Sequence, residues 1–79
     1  MLTFSEENHI KSIFHLSVIS EEGVSTNSIA ENLNTKASSV TEMLKKLSEK
    51  RLIVYKKYHG AQLTELGRKT ALNIIRKHR

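Results

Sequence analysis

The sequence predicts a mainly α-helical domain of the α+β class, with three helices, a two-stranded β-hairpin and a C-terminal helix. Apolar residues recur at helical spacing over most of the chain, while residues 52–55 are β-branched and aromatic, which is typical of a strand. Proline is absent, and Gly23 and Gly60 stand where we expect turns. A chain of 79 residues has the length of one small domain, and we expect residues 1–79 to form it.

The first helix is predicted from about residue 6 to residue 19. Ser5 has a side chain suited to a helix N-cap, and Glu6 and Glu7 follow in the first turn, where acidic groups interact favourably with the helix dipole. The apolar positions of this helix are Ile10, Ile13 and Phe14. Gly23 is the turn residue that follows it.

A three-residue turn is predicted to join the second and third helices. Ser25 and Thr26 cap the second helix, and Asn34 tolerates the left-handed backbone that a tight turn requires. The apolar face of the second helix comprises Ile29, Ala30 and Leu33. The buried stripe of the third comprises Ala37, Val40, Leu44 and Leu47, with Met43 beside them.

The hairpin is predicted from two short strands, residues 52–55 and 61–63, with a turn over residues 56–60. A two-stranded hairpin is marginal alone, so it must pack against the helices. Thr64 and Glu65 open the last helix, which runs to the end of the chain. Its apolar side is formed by Leu66, Ala71, Leu72, Ile74 and Ile75.

This order of elements is that of a winged helix-turn-helix, a fold that binds double-stranded DNA. The third helix would enter the major groove, and its free face begins with small residues that do not obstruct the bases. We therefore predict that residues 36–64 form the DNA-reading unit. The predicted DNA contacts are Thr26, Thr35, Lys36, Ser38, Ser39, Thr41, Glu42, Lys45, Lys46, Lys56, Lys57 and His59.

Two parts of this surface have more than one interpretation. Glu42 could accept a hydrogen bond from a cytosine amino group, or it could pair with Lys45 or Lys46 one turn away. Lys56 and Lys57 at the hairpin tip could contact phosphates, or they could simply keep the tip soluble.

The charge is distributed unevenly along the chain. Residues 1–35 contain one basic and five acidic side chains, a net charge of −4, whereas residues 36–79 contain twelve basic and three acidic ones, a net charge of +9. A positive half of this kind favours a polyanionic partner, either a nucleic acid or an anionic lipid surface. An ordinary solvated surface is the alternative from charge alone.

Several functional classes are disfavoured by the sequence. There is no cysteine for a disulfide or a thiolate metal site, which fits a cytoplasmic protein. No apolar run is long enough to span a membrane, and the acidic N-terminus does not resemble a secretory signal. The four histidines form no metalloprotease pattern, and neither a catalytic triad nor a glycine-rich phosphate loop is present, so we do not expect an enzyme.

The chain resembles the iron- and manganese-dependent repressors of the diphtheria-toxin-repressor family. The resemblance is carried by Val24-Ser25-Thr26, Ile29-Ala30-Glu31, the run from Ala37 to Leu47, Tyr58-His59-Gly60, the run from Leu63 to Arg68, and Arg76-Lys77-His78-Arg79. It implies a cytoplasmic, homodimeric repressor that binds a palindromic operator when activated by manganese or iron. The metal-binding and dimerization domain of that family would follow residue 79, which implies that this chain is its DNA-binding domain.

The resemblance also implies metal ligands, and here the chain departs from the family pattern. His78 matches the ligand of the linker helix. Asn8 stands where the family has a Met or Asp ligand on the first helix, and Lys11 stands where manganese-dependent members have a glutamate. An amide oxygen is a weak ligand, and an ammonium group repels a metal ion. Two alternatives therefore stay open: a metal-independent winged-helix regulator, similar to the multiple-antibiotic-resistance regulators, and a winged-helix module that binds another protein.

Overall fold

A computed structural model of the chain describes residues 2–19, 23–56 and 60–77. The elements are α1 (Phe4–Ile19), α2 (Thr26–Leu33), α3 (Ala37–Glu49), β1 (Ile53–Lys56), β2 (Gly60–Leu63) and α4 (Glu65–Lys77). This order confirms the predicted winged helix-turn-helix, and the described residues form four helices and one antiparallel hairpin. Among the described residues, no helix is long and apolar enough to cross a membrane.

Thr3 caps helix α1, so the prediction that Ser5 is the cap was wrong. The Thr3 hydroxyl oxygen accepts a hydrogen bond from the Glu6 backbone N–H at 3.1 Å, and Glu6 Oε1 accepts one from the Thr3 backbone N–H at 3.0 Å. This reciprocal pair is a capping box, which satisfies two backbone donors at the helix start. The helix therefore begins two residues before the predicted boundary, and Glu6, still in its first turn, is buried.

Glu6 also joins α1 to the end of α3. Its second carboxylate oxygen lies 2.5 Å from Lys50 Nζ, in a pair formed by residues 44 positions apart. The hydrogen bond from Lys50, together with the one from the Thr3 backbone, lowers the pKa of Glu6 to about 2 from an ordinary 4.5. The carboxylate is thus charged in the folded protein at neutral pH and holds the first and third helices together.

Helices α2 and α3 are joined by the predicted three-residue turn. The Ser25 hydroxyl accepts a hydrogen bond from the Ser28 backbone N–H at 3.1 Å and caps α2. Asn34 adopts the left-handed conformation, with φ of 54°, and the Thr35 N–H donates to the Ala30 carbonyl at 2.9 Å. The chain then becomes extended at Lys36 and enters α3.

One apolar core lies between the helices and the hairpin. Its members are Ile10, Ile13, Val24, Ile29, Ala30, Val40, Leu44, Leu47, Leu52, Ile53, Ala61, Ala71 and Ile74. The predicted stripe of α3 is confirmed at its last three positions, but Ala37 is exposed because it is the first residue of the helix, one turn before the core. Helix α4 buries Ala71 and Ile74, whereas Leu66 and Leu72 face outward.

The hairpin is fixed at both ends by backbone contacts. Val24 and Ala61 exchange two backbone hydrogen bonds of 2.9 and 2.8 Å, which attach β2 to the segment before α2. Gly60 has a φ of 83°, and a Cβ there would lie 2.3 Å from the Val24 carbonyl oxygen. At the other end a Cβ on Gly67 would lie 1.9 Å from the Leu52 carbonyl oxygen, so α4 packs directly on the backbone before β1.

Candidate nucleic-acid interface

Helix α3 presents a polar and basic face to solvent. Its buried side contains Val40, Leu44 and Leu47, which pack on the core. The predicted contacts on and before this helix are all exposed: Lys36, Ser38, Ser39, Thr41, Glu42, Lys45 and Lys46. The fold thus brings seven of the sequence-predicted residues to one surface, which no core contact obstructs.

The N-terminus of α3 has backbone donors that find no acceptor within the described part of the chain. Lys36 occupies the N-cap position but its side chain makes no capping hydrogen bond. The backbone N–H groups of Ser39 and Val40 return to the Lys36 carbonyl at 3.1 and 3.2 Å, whereas those of Ala37 and Ser38 have no acceptor among the described residues. The first donors of a helix must be satisfied from outside, and the helix dipole adds positive potential there. This end of α3 is therefore chemically suited to a phosphate oxygen.

The hydroxyl groups on this face are not equivalent. Thr41 Oγ1 donates to the Ala37 carbonyl at 3.0 Å, so its proton is used within the helix and the side chain offers outward only a methyl group and a lone pair. Ser38 and Ser39 make no side-chain hydrogen bond among the described residues, so both hydroxyls remain able to donate and to accept. The serines are therefore the more versatile hydrogen-bonding groups on the face.

Glu42 forms no ion pair within 4.0 Å in the described part of the chain. Its exposed carboxylate lies on the same face as the serines. It therefore repels phosphates at close range while remaining available to an amino group.

The other predicted contacts lie at the borders of this face or outside the described residues. Thr26 is half-buried as the first residue of α2, and Thr35 is exposed in the turn. Lys56 ends β1, paired through its backbone with Gly60. Lys57, His59 and the predicted metal ligand His78 lie outside the described ranges.

Sequence reasoning missed a groove between α3 and β1. It has a volume of about 320 Å³ and is lined by Thr41, Leu44, Lys45, Ser48, Glu49 and Tyr55. We call it the wing-side groove. Tyr55 is 56% exposed although Ile53, on the same side of the strand, is 2% exposed. The alternation of a strand places both side chains toward α3, and this was the signal that could have identified Tyr55.

The described residues of α1 do not provide a metal site. Asn8 and Lys11 are both half-buried, and no group of three or more His, Cys, Asp or Glu side chains comes together in residues 2–19, 23–56 and 60–77. A divalent transition metal requires anionic or imidazole ligands, which this part of the domain does not assemble.

Comparison with known proteins identifies similar transcriptional regulators. The chain is 40% identical to the HTH-type transcriptional regulator MntR of Geobacillus kaustophilus (strain HTA426), over 99% of this chain and 55% of that protein. It is 38% identical to MntR of Bacillus subtilis (strain 168), over 99% of this chain and 54% of that protein. The chain spans about half the length of these relatives.

Solved structures show the same fold. The manganese regulator SloR superposes with a TM-score of 0.80 at 37% identity, over 99% of this chain and 36% of the SloR chain. ScaR, solved with bound zinc, gives a TM-score of 0.80 at 32% identity, over 94% of this chain and 34% of its own. The DNA complex of MepR from S. aureus, at 22% identity and a TM-score of 0.76, shares the fold alone.

The family assignment rests on a match that covers most of the chain. Residues 1–61 match the N-terminal DNA-binding domain of the iron-dependent repressors. This match agrees with the MntR relatives, which cover nearly the whole chain, and with the resemblance seen in the sequence. The chain therefore belongs to the iron-dependent repressor family, and its residues 1–61 match the N-terminal DNA-binding domain of that family.

Proposed function

We propose that the chain binds double-stranded DNA with sequence preference by placing α3 in the major groove, as part of a metal-dependent transcriptional repressor. The observation that supports this most is the exposed face of α3, where two serine hydroxyls with no partner among the described residues follow a helix N-terminus without a side-chain cap. Major-groove reading requires such a face, because base edges are reached by hydrogen-bonding side chains on a helix that fits the groove.

The residues of the surface have different roles in this proposal. Ser38, Ser39 and Glu42 face the base edges, where they supply donors and acceptors. Lys36 and the backbone amides of the first turn of α3 hold one phosphate at the N-terminus of that helix. Thr26 and Thr35 lie beside that phosphate. Lys45 and Lys46 supply sequence-independent attraction, because each phosphate contact releases a condensed counterion. The hairpin residues Lys56, Lys57 and His59 remain predicted phosphate contacts.

The proposal extends to the whole regulator. A palindromic operator, a homodimer and a cytoplasmic location are inferred from the family, since two linked half-sites bind more tightly than one. Control by manganese or iron is inferred in the same way, from relatives that include a manganese regulator. No group of three or more His, Cys, Asp or Glu side chains comes together among the described residues, so we infer that the main ligands, His78 among them, lie outside residues 2–19, 23–56 and 60–77. Asn8 is proposed at most as an accessory ligand.

The DNA-binding proposal can be tested on the 79-residue chain. Selection from a randomised duplex pool yields a preferred half-site, and its affinity is measured from 50 to 200 mM salt. We expect a steep loss of affinity with salt. Lys46→Gln should reduce the slope of log affinity against log salt concentration by about the amount that one phosphate contact contributes. Lys69→Gln, which removes an exposed lysine of α4, is the matched control. Absence of both enrichment and salt dependence would exclude DNA binding.

Metal dependence needs a separate measurement. Manganese or iron should raise the operator affinity of the whole regulator, whereas it should change that of this domain by less than about twofold. If the whole regulator binds its operator equally well with and without metal, it is the metal-independent regulator instead.

A further inference from the structure

The wing-side groove continues the DNA-reading face of α3 toward the hairpin. Lys45 belongs to both surfaces, because it is exposed on the reading face and also lines the groove. Thr41 and Lys45 lie one helical turn apart, and Ser48 follows after the next turn, so these side chains form one wall. Tyr55 of β1 forms the other wall, and Leu44 contributes an apolar floor.

Tyr55 combines an apolar ring with a hydroxyl group. It pairs with Ala61 in the hairpin, and its ring faces the helix on the same side of β1 as buried Ile53. The hydroxyl makes no hydrogen bond in the described part of the chain, and the side chain is more than half exposed. Such a ring packs well against a sugar, while its hydroxyl can donate to an anion.

The position of the groove suggests which part of DNA it would meet. A helix in the major groove has a sugar-phosphate backbone on each side. The turn with Thr35 and Lys36 leads into the N-terminus of α3. The wing-side groove lies farther along the helix, between α3 and β1. Its apolar floor matches a deoxyribose, and Lys45 with Tyr55 matches a phosphate.

We propose that the wing-side groove binds the sugar-phosphate backbone of one DNA strand, with the Tyr55 hydroxyl and Lys45 on a phosphate. This inference rests on the proposed DNA-binding function. Glu49 also lines the groove, and a carboxylate in a site that holds a phosphate repels it, so Glu49 weakens binding in this proposal. Tyr55 is thus a positioning residue that fixes the backbone, and Glu49 limits the affinity.

Two substitutions with opposite effects test the inference. Tyr55→Phe removes only the hydroxyl and should weaken binding about fivefold, to the preferred and to a random duplex alike, with an unchanged salt slope because no charge is lost. Glu49→Gln should strengthen binding about threefold at 50 mM salt, and the gain should shrink at 200 mM as the repulsion is screened.

Matched controls separate these effects on DNA binding from effects of altered stability or net charge. Val54→Ala alters the opposite face of β1, and Glu65→Gln removes the same charge at the start of α4, so neither should change affinity by more than about 1.5-fold at equal thermal stability. If the wild-type chain binds DNA while Tyr55→Phe and Glu49→Gln bind as the wild type does, the groove inference fails alone. A loss confined to the preferred duplex would show that Tyr55 reads a base and would also overturn it. If the wild-type chain binds no DNA, the groove inference fails together with the proposed function.

Discussion

Replacing Glu6 with glutamine would isolate the charge that links α1 to the end of α3. Glutamine keeps an oxygen that can accept the Thr3 backbone hydrogen bond, and it is the other residue found at this position of a capping box. The change therefore preserves the cap and removes the electrostatic attraction to Lys50. Any difference in the free energy of unfolding between the two proteins then reports on this ion pair.

The expected loss in the free energy of unfolding follows from the pKa of Glu6, which lies at about 2 instead of 4.5. At about 1.4 kcal/mol for each pH unit, this difference sets an upper bound of about 3.5 kcal/mol on the stabilisation. The Lys50 side chain is 44% exposed, so solvent screens the pair. Because fully exposed pairs contribute under about 1 kcal/mol, we expect an intermediate loss of about 1.5 kcal/mol, or about 8 °C in Tm for a domain of this size.

The pH dependence has a defined sign. The folded pKa of Glu6 is lowered, so its contribution to stability is fully present above the unfolded value of 4.5 and is lost as the pH falls toward about 2. The wild-type protein should therefore be more stable than the Glu6→Gln variant at pH 7, and the two should converge at low pH. This convergence would be absent if the stabilisation came from packing alone.

Urea denaturation followed by circular dichroism measures both quantities, at pH 7 and at intervals down to pH 2. Glu31→Gln, which removes an exposed carboxylate of α2, controls for the change in net charge. The electrostatic account is refuted if Glu6→Gln unfolds at the same urea concentration as the wild type at pH 7. It is equally refuted if the difference between them stays constant down to pH 2.

Two further predictions concern the reading face and the base of the hairpin. Ser39→Glu places a negative charge where α3 meets DNA, so it should abolish duplex binding in a gel-shift assay while the circular dichroism spectrum and Tm stay unchanged; normal affinity would refute the docking of α3. Gly67→Ala should lower the free energy of unfolding by at least about 3 kcal/mol, because its Cβ would lie 1.9 Å from the Leu52 carbonyl oxygen. Leu66→Ala, at a site that is 54% exposed, is the control for that measurement, and equal losses in the two variants would contradict the close approach.

The helix-turn-helix could be predicted because its determinants are local. The spacing of Val40, Leu44 and Leu47 defines a buried stripe. Asparagine is one of the few residue types other than glycine that adopt the left-handed backbone conformation, and Asn34 has it. The change from helical to strand periodicity located the hairpin in the same way, and the predicted ends of each strand lie within one residue of the observed ends. These features depend on neighbours a few positions apart, and the sequence contains them directly.

The errors arose where distant parts of the chain meet. The pattern Thr3 to Glu6 is itself a capping-box sequence, but Ser5 offered a competing cap, and the contact of Glu6 with Lys50, 44 positions away, is not visible in the sequence. Ala37 continues the apolar spacing of α3, yet periodicity does not reveal where the core ends along a helix. Tyr55 followed the strand pattern, but its position beside α3 became visible only with the hairpin in place.

Helix α1 departs from the family pattern at Asn8 and Lys11, which raises the question of whether the DNA-reading face depends on these two positions. The reading face is assembled by α2, the turn, α3 and the hairpin, through contacts that do not involve the positions of Asn8 or Lys11. Helix α1 supports this unit through the core residues Ile10 and Ile13 and through the pair of Glu6 with Lys50, and none of these contacts requires a metal. The DNA-reading geometry can therefore persist when the α1 ligands change. The shape of the exposed face of α3 is thus fixed by the packing of the described residues themselves.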